Sequence, residues 1–124
     1  MAGKILIAED ESSILVSLEF LMRNDGYDVQ VVTRGDAVLP RIRDFMPDLV
    51  LLDVMLPYRN GFELCRDIRA NAEWANMKII ILSAKGREVE MQRGLDAGAD
   101  AYVTKPFATN DLRQKVRQVI EQVP

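Results

Sequence analysis

The sequence predicts an α/β fold built on a five-stranded parallel sheet in the order 2-1-3-4-5, with five helices packed on its two faces. Three observations carry that expectation. Along 124 residues, five short apolar runs alternate with five amphipathic stretches. The middle runs are apolar throughout, as strands covered on both faces must be. Tyr27 to Val32 instead alternates polar with apolar residues and suits an edge. Right-handed crossovers between parallel strands then leave few topologies.

Taken in order, the first strand is Lys4-Ile-Leu-Ile-Ala8, bounded by Glu9-Asp10-Glu11. Ser12 or Ser13 is expected to cap the next helix, whose apolar face is Ile14, Leu18, Leu21 and Met22 and which Gly26 ends. After the edge strand, a second helix is expected from Asp36 to Phe45. Pro40 inside it should remove a hydrogen bond and kink or shorten it. Asp48 to Leu52 forms the third strand, ending at Asp53, and Leu56 to Gly61 reads as a turn. Phe62, Cys65 and Ile68 mark the buried face of a third helix, and Trp74 should cover an edge of the core. Lys78 to Leu82 forms the fourth strand, ending at Ser83, and Val89 to Ala97 forms a helix stopped by Gly98. Ala101 to Thr104 is the last strand, ending at Lys105-Pro106. Thr109 or Asn110 then opens a helix with Leu112, Val116, Val119, Ile120 and Val123 on its apolar face.

Composition narrows the chemistry. The chain has no histidine and one cysteine. Ser-His-Asp and Cys-His sites are therefore excluded, as are the common zinc sites and any internal disulfide. Residues 1–124 are expected to form a single domain. Net charge is −3, which argues against direct nucleic-acid binding by this domain. No apolar stretch approaches a membrane span and the run from Met1 to Ala8 does not read as a signal peptide, so a cytoplasmic protein is expected.

In a sheet of this order, ligands bind beyond the carboxyl ends of the strands, at the switch between the first and third. Glu9 and Asp10 stand at the end of the first strand and Asp53 at the end of the third; Ser83 and Lys105 end the fourth and fifth. Three carboxylates at one rim repel one another, and a hard divalent cation such as Mg²⁺ removes the conflict. Glu9, Asp10, Asp53 and the backbone carbonyl of Met55 are the candidate metal ligands. With Lys105 beside them they would make a pocket for a phosphoryl group, with Asp53 as its nucleophile and Ser83 hydrogen-bonded to one of its oxygens.

These residues resemble the receiver domain of two-component response regulators, over essentially the whole chain from Lys4 to about Val123. Glu9-Asp10-Glu11 is similar to that family's acidic pair, and Leu51-Leu-Asp53-Val-Met-Leu-Pro57 followed by Gly61 to its phosphoacceptor motif. Ser83-Ala84 is similar to its hydroxyl and small residue, Tyr102 to its aromatic switch position, and Lys105-Pro106-Phe107 to its lysine and following proline. Glu9 in place of the commoner Asp, Pro40 in the second helix and Tyr58-Arg59 after the acceptor depart from the usual pattern.

The resemblance implies a flavodoxin-like doubly wound fold and a cis Lys105–Pro106 bond. It implies Mg²⁺-dependent acceptance of a phosphoryl group on Asp53 from a histidine kinase or histidine phosphotransfer protein. Ser83 and Tyr102 would then switch the surface around the fourth helix, fifth strand and fifth helix, through which a dimer could form and a downstream effector, which the sequence does not name, could be reached. Only weak self-catalysed phosphotransfer and dephosphorylation are expected, so the chain is not read as an enzyme. Two alternatives stand beside this. A small Mg²⁺-dependent phosphatase using Asp53 would commonly place an acid two residues later, where this chain has Met55. A receiver-like interaction module without phosphorylation would need none of the rim residues, yet all are present.

Overall fold

In a computed structural model, which describes residues 3–84 and 88–121, the chain folds as alternating strands and helices. The order is β1 (Lys4–Ala8), α1 (Ser12–Asn24), β2 (Asp28–Val32), α2 (Val38–Phe45), β3 (Leu49–Asp53), α3 (Gly61–Ala70), β4 (Lys78–Ala84), α4 (Glu88–Asp96), β5 (Ala101–Lys105) and α5 (Thr109–Ile120). All strand pairs are parallel and the sheet order is β2-β1-β3-β4-β5. This is the flavodoxin-like arrangement expected from the sequence.

Alternation along each strand divides the core in two. Ile5 and Ile7 of β1, Leu49 and Leu51 of β3, and Ile80 and Leu82 of β4 face α1 and α5, where Leu18, Met22, Leu112, Val116 and Val119 meet them. Leu6, Val50, Leu52, Ile79 and Ile81 point the other way, onto Ile42 of α2 and onto Phe62, Leu64, Cys65 and Ile68 of α3. Every residue of β3 is buried, as the middle strand of a two-faced sheet must be. Cys65 packs as a small core residue, its Sγ 3.5 Å from the Ala97 carbonyl oxygen. Trp74 closes a short helical turn at Ala72–Trp74 and is buried at the edge of the second cluster, as its covering role requires.

Several local expectations need correction. Neither Ser12 nor Ser13 caps α1. Glu11 is the N-cap residue, without a side-chain cap, because the helix already begins at Ser12. Likewise α5 begins at Thr109 with Ala108 as N-cap, so Thr109 and Asn110 lie inside it. The second helix does not run from Asp36. A tight turn at Gly35–Ala37 leads into α2, where Pro40 is the third residue. Backbone N–H groups of a first helical turn have no partner within the helix, so Pro40 removes no bond there. Val123 lies outside the described residues. Gly26 follows α1 with φ 92°, the left-handed conformation that favours glycine at a helix end. Among the described residues, no helix is long and apolar enough to cross a membrane.

Candidate functional site

The carboxyl ends of β1, β3 and β5 open onto one cleft of about 510 Å³, lined by Glu9, Asp10, Glu11, Ile14, Asp53, Met55, Ala84, Lys105 and Pro106. The placement follows from the register. Ala8 pairs with Leu52, so Glu9 and Asp10 emerge beside Asp53. Asp53 pairs with Leu82, which sets Ser83 and Ala84 just beyond it on β4, and Ala84 pairs with Lys105 on β5.

Glu9, Asp10 and Asp53 each offer a carboxylate oxygen, and the three lie within 4.8 Å of one another. Glu9 and Asp53 are buried, at 0% and 3% exposure, whereas Asp10 faces solvent. Lys105 bridges the buried pair. Its Nζ is 2.8 Å from Glu9 Oε1 and 3.2 Å from Asp53 Oδ1. The Glu11 N–H donates to Glu9 Oε2 at 3.1 Å, and the Met55 N–H to Asp53 Oδ1 at 3.3 Å.

Burial is the largest influence on the Glu9 carboxyl and pushes it above its ordinary value, against the hydrogen bonds from Lys105 and from the Glu11 N–H. Burial also pulls most strongly on the Lys105 ammonium, downward. The hydrogen bond to Glu9 and the charges of Asp53 and Glu9 outweigh it, so Lys105 is lifted above its ordinary value and stays charged.

Among the described residues, three carboxylates face a single ammonium, which leaves the cleft with uncompensated negative charge. The donor set is all oxygen. Both properties fit a hard divalent cation such as Mg²⁺. Glycine at position 61 completes the arrangement, since a Cβ there would lie 2.6 Å from the Asp53 carbonyl oxygen. Only glycine lets α3 start so close behind β3, and that closeness turns the intervening loop, with Met55, back over the cleft.

The structure brings Glu9, Asp10, Asp53, Met55, Ala84, Lys105 and Pro106 together. Ser83 is buried at 2% exposure beside them in register. The Lys105–Pro106 peptide bond is cis. Tyr102 stands apart. It is half-buried against the α2–α3 side of the core and lines a separate groove with Val103, Phe107 and Leu112. Two lining residues carried no assigned role in the sequence reading. Glu11 was legible as part of the acidic run, and its N–H orients Glu9. Ile14 was legible only as an apolar helix position, and it forms the cleft's apolar wall.

Comparison with known proteins agrees with this geometry. The family profile for the response regulator receiver domain matches residues 5–117. The chain is 41% identical over 122 residues to the phosphate regulon transcriptional regulatory protein PhoB of Rhizobium meliloti, covering 98% of this chain and 54% of that protein. It therefore spans about half the length of that curated relative. Among solved structures, a protein of Chloroflexus aurantiacus described as a response regulator superposes with a TM-score of 0.94 at 30% identity, covering 98% of this chain and all of the other. The receiver domain of sensor histidine kinase PA1611 from Pseudomonas aeruginosa, solved with magnesium coordinated in its active site cleft, has a TM-score of 0.88 at 28% identity, covering 98% of this chain and 100% of that one.

Proposed function

The chain belongs to the response regulator receiver domain family, a class of phosphorylation-based signalling modules rather than classical enzymes, and on that premise we propose that Asp53 is its phosphoacceptor. The family implies a histidine kinase as partner class; whether the direct donor is a kinase or a phosphotransfer protein belongs to this proposal. An Asp53 carboxylate oxygen would form a bond to phosphorus as the phosphorus–nitrogen bond of the donor's phosphohistidine breaks. The donor's imidazole leaves with the bonding pair, and Asp53 becomes an acyl phosphate.

The observation that carries this reading is the Lys105 ammonium held between Glu9 and Asp53 at the switch point of the sheet. A charged donor at that place would neutralise negative charge on the transferred group's oxygens without reorganising. Glu9, Asp10, Asp53 and the Met55 carbonyl would hold Mg²⁺. When bound, the ion supplies positive charge that offsets the repulsion between phosphate and carboxylates. Ser83, with Ala84 leaving room beside it, is assigned to hydrogen-bond a phosphoryl oxygen. Tyr102 is assigned to carry the change toward α4, β5 and α5, the surface proposed for an effector or a second copy. Self-catalysed phosphotransfer and dephosphorylation would be weak, residues 1–124 would act as one domain, and its site of action would be the cytoplasm.

The test is mass spectrometry after incubation with acetyl phosphate and Mg²⁺. One hydroxylamine-labile phosphoryl group is expected on the wild-type chain and none on Asp53→Asn. Absence of any adduct on the wild-type chain would refute the assignment.

A further inference from the structure

The loop of residues 54–60, which follows Asp53, is fastened locally at both ends. At its start the Met55 N–H reaches Asp53 Oδ1, and the Gly61 N–H donates to the Val54 carbonyl oxygen at 3.0 Å. At its end the Asn60 side chain accepts from the Glu63 N–H at 2.9 Å, and Arg59 pairs with Glu63 at 2.7 Å and with Asp67.

The tip is held by a distant part of the chain, the turn after edge strand β2. The Gly35 N–H donates to the Pro57 carbonyl oxygen at 2.8 Å. The Arg34 guanidinium lies 4.2 Å from the centroid of the Tyr58 ring and is itself held by Asp36 through hydrogen bonds of 3.0 and 2.8 Å. The two backbones touch, since a Cβ on Gly35 would sit 2.3 Å from the Arg59 carbonyl oxygen.

Two features of Tyr58 bear on this contact. Its φ is 76°, a conformation a bulky residue keeps only where its surroundings hold it. Its side chain is also not a buried anchor, because the residue is 73% exposed, with the guanidinium stacked over its ring.

We propose that Arg34, stacked on Tyr58, is a positioning residue for the phosphoacceptor site, holding the loop so that Met55 stays beside Asp53. The proposal rests on the reading of Asp53 as phosphoacceptor. The carboxylate that Arg34 pairs with is Asp36, outside the cleft, and Arg34 acts on the site through the tip of the loop. Without the stack, Tyr58 is free to leave its positive-φ conformation. Met55, three residues earlier, then loses its register with the Asp53 carboxylate.

The experiment uses the whole chain as wild type, Arg34→Ala, Tyr58→Phe and Gly35→Ala. It measures metal-free hydrogen exchange at the Met55 and Gly61 amides, Mg²⁺ affinity by calorimetry, phosphoryl half-life after acetyl phosphate, and the thermal unfolding midpoint. Arg34→Ala is expected to speed exchange at both amides and to weaken Mg²⁺ binding about two- to fivefold, the factor an exposed cation–π contact is worth. Its unfolding midpoint should fall by no more than about 5 °C, the shift a contact of that size accounts for. Tyr58→Phe keeps the ring and should match wild type throughout. Gly35→Ala drives a methyl group into the Arg59 backbone and should reproduce the faster exchange with Arg34 still present.

Wild-type exchange and Mg²⁺ affinity in Arg34→Ala would overturn the proposal. So would a loss of affinity that comes with a midpoint fall well beyond about 5 °C, which marks general destabilisation. A wild-type chain that binds no Mg²⁺ and accepts no phosphoryl group would instead overturn the reading of Asp53, and the metal-free exchange rates would still judge the clamp separately.

Discussion

Glu9 shows most sharply how a single residue carries a cost that its site requires. Its carboxylate is fully buried, and burial raises its pKa above the ordinary 4.5 despite the Lys105 hydrogen bond. The folded state therefore binds the Glu9 proton more tightly than the unfolded chain does. Ionised Glu9 weakens folding once pH rises past that ordinary value, and the penalty disappears below it. Glu9→Gln keeps an oxygen to accept from Lys105 but removes the charge. In chelator, the variant is expected to unfold at a higher temperature than wild type near neutral pH, with the gain vanishing by about pH 4. Calorimetry should show weaker Mg²⁺ binding in the same variant, since one of the proposed anionic ligands is gone. Stability and ligand charge are opposed at this residue, as at many functional sites. The sequence announced Glu9 and Asp10 as a pair; that Glu9 is sealed and Asp10 open depends on the turn after β1 and on the packing of Lys105, 96 residues away.

Among the elements, the junction of α3, β4 and the α4–β5 loop hangs on Arg69. Its guanidinium donates to the Gly98 carbonyl at 2.7 Å, the Met77 carbonyl at 2.5 Å and Asp100 Oδ2 at 2.6 Å, and Asp100 Oδ2 also accepts from the Ile79 N–H at 2.8 Å. Gly98, at φ 106°, leaves room for the Arg69 stem, which a Cβ there would approach to 2.6 Å. Arg69→Met keeps the stem and strands the two carbonyls. Urea unfolding is expected to show a loss of about 1.5–3 kcal/mol, the range for hydrogen bonds that involve a charged group. Periodicity displayed the helices and strands well, because buried faces leave a direct mark on the order of residues. Nothing in the order of residues singles out Arg69, since its partners lie up to 31 residues away. The helix starts were misplaced for a related reason. Ser12, Ser13, Thr109 and Asn110 all have capping chemistry, but the turns entering α1 and α5 begin the helices one or two residues earlier.

Across the whole molecule, the chain's two ends of the fold are joined by Asp25, after α1, and Arg113 on α5. Two hydrogen bonds of 3.0 and 2.6 Å link residues 88 apart in sequence. The Arg113 hydrogen bond holds the Asp25 carboxyl below its ordinary 3.8. Here the sign is the reverse of that at Glu9. The pair stabilises the fold above that ordinary value and is lost as pH falls through the depressed one. Arg113→Gln is expected to lower the unfolding midpoint near neutral pH, with the gap to wild type closing in acid. A thermal melt at each pH checks it. The sheet order was legible at this scale because strand apolarity separates centre from edge and handedness leaves few crossovers. The convergence of Glu9, Asp10, Asp53 and Lys105 followed from that order alone. The clamp of Arg34 on Tyr58 did not, because it depends on how far one loop leans toward its neighbour.

Cys65 has a practical corollary. It is fully buried, and burial pushes its thiol up to about 11, so at neutral pH it presents almost no thiolate to a reagent. A cysteine introduced at an exposed position such as Phe20 or Met91 would therefore be the one thiol in the folded chain to take a maleimide dye. Fluorescent labelling for distance measurements can thus proceed with Cys65 left in place and the core around it intact.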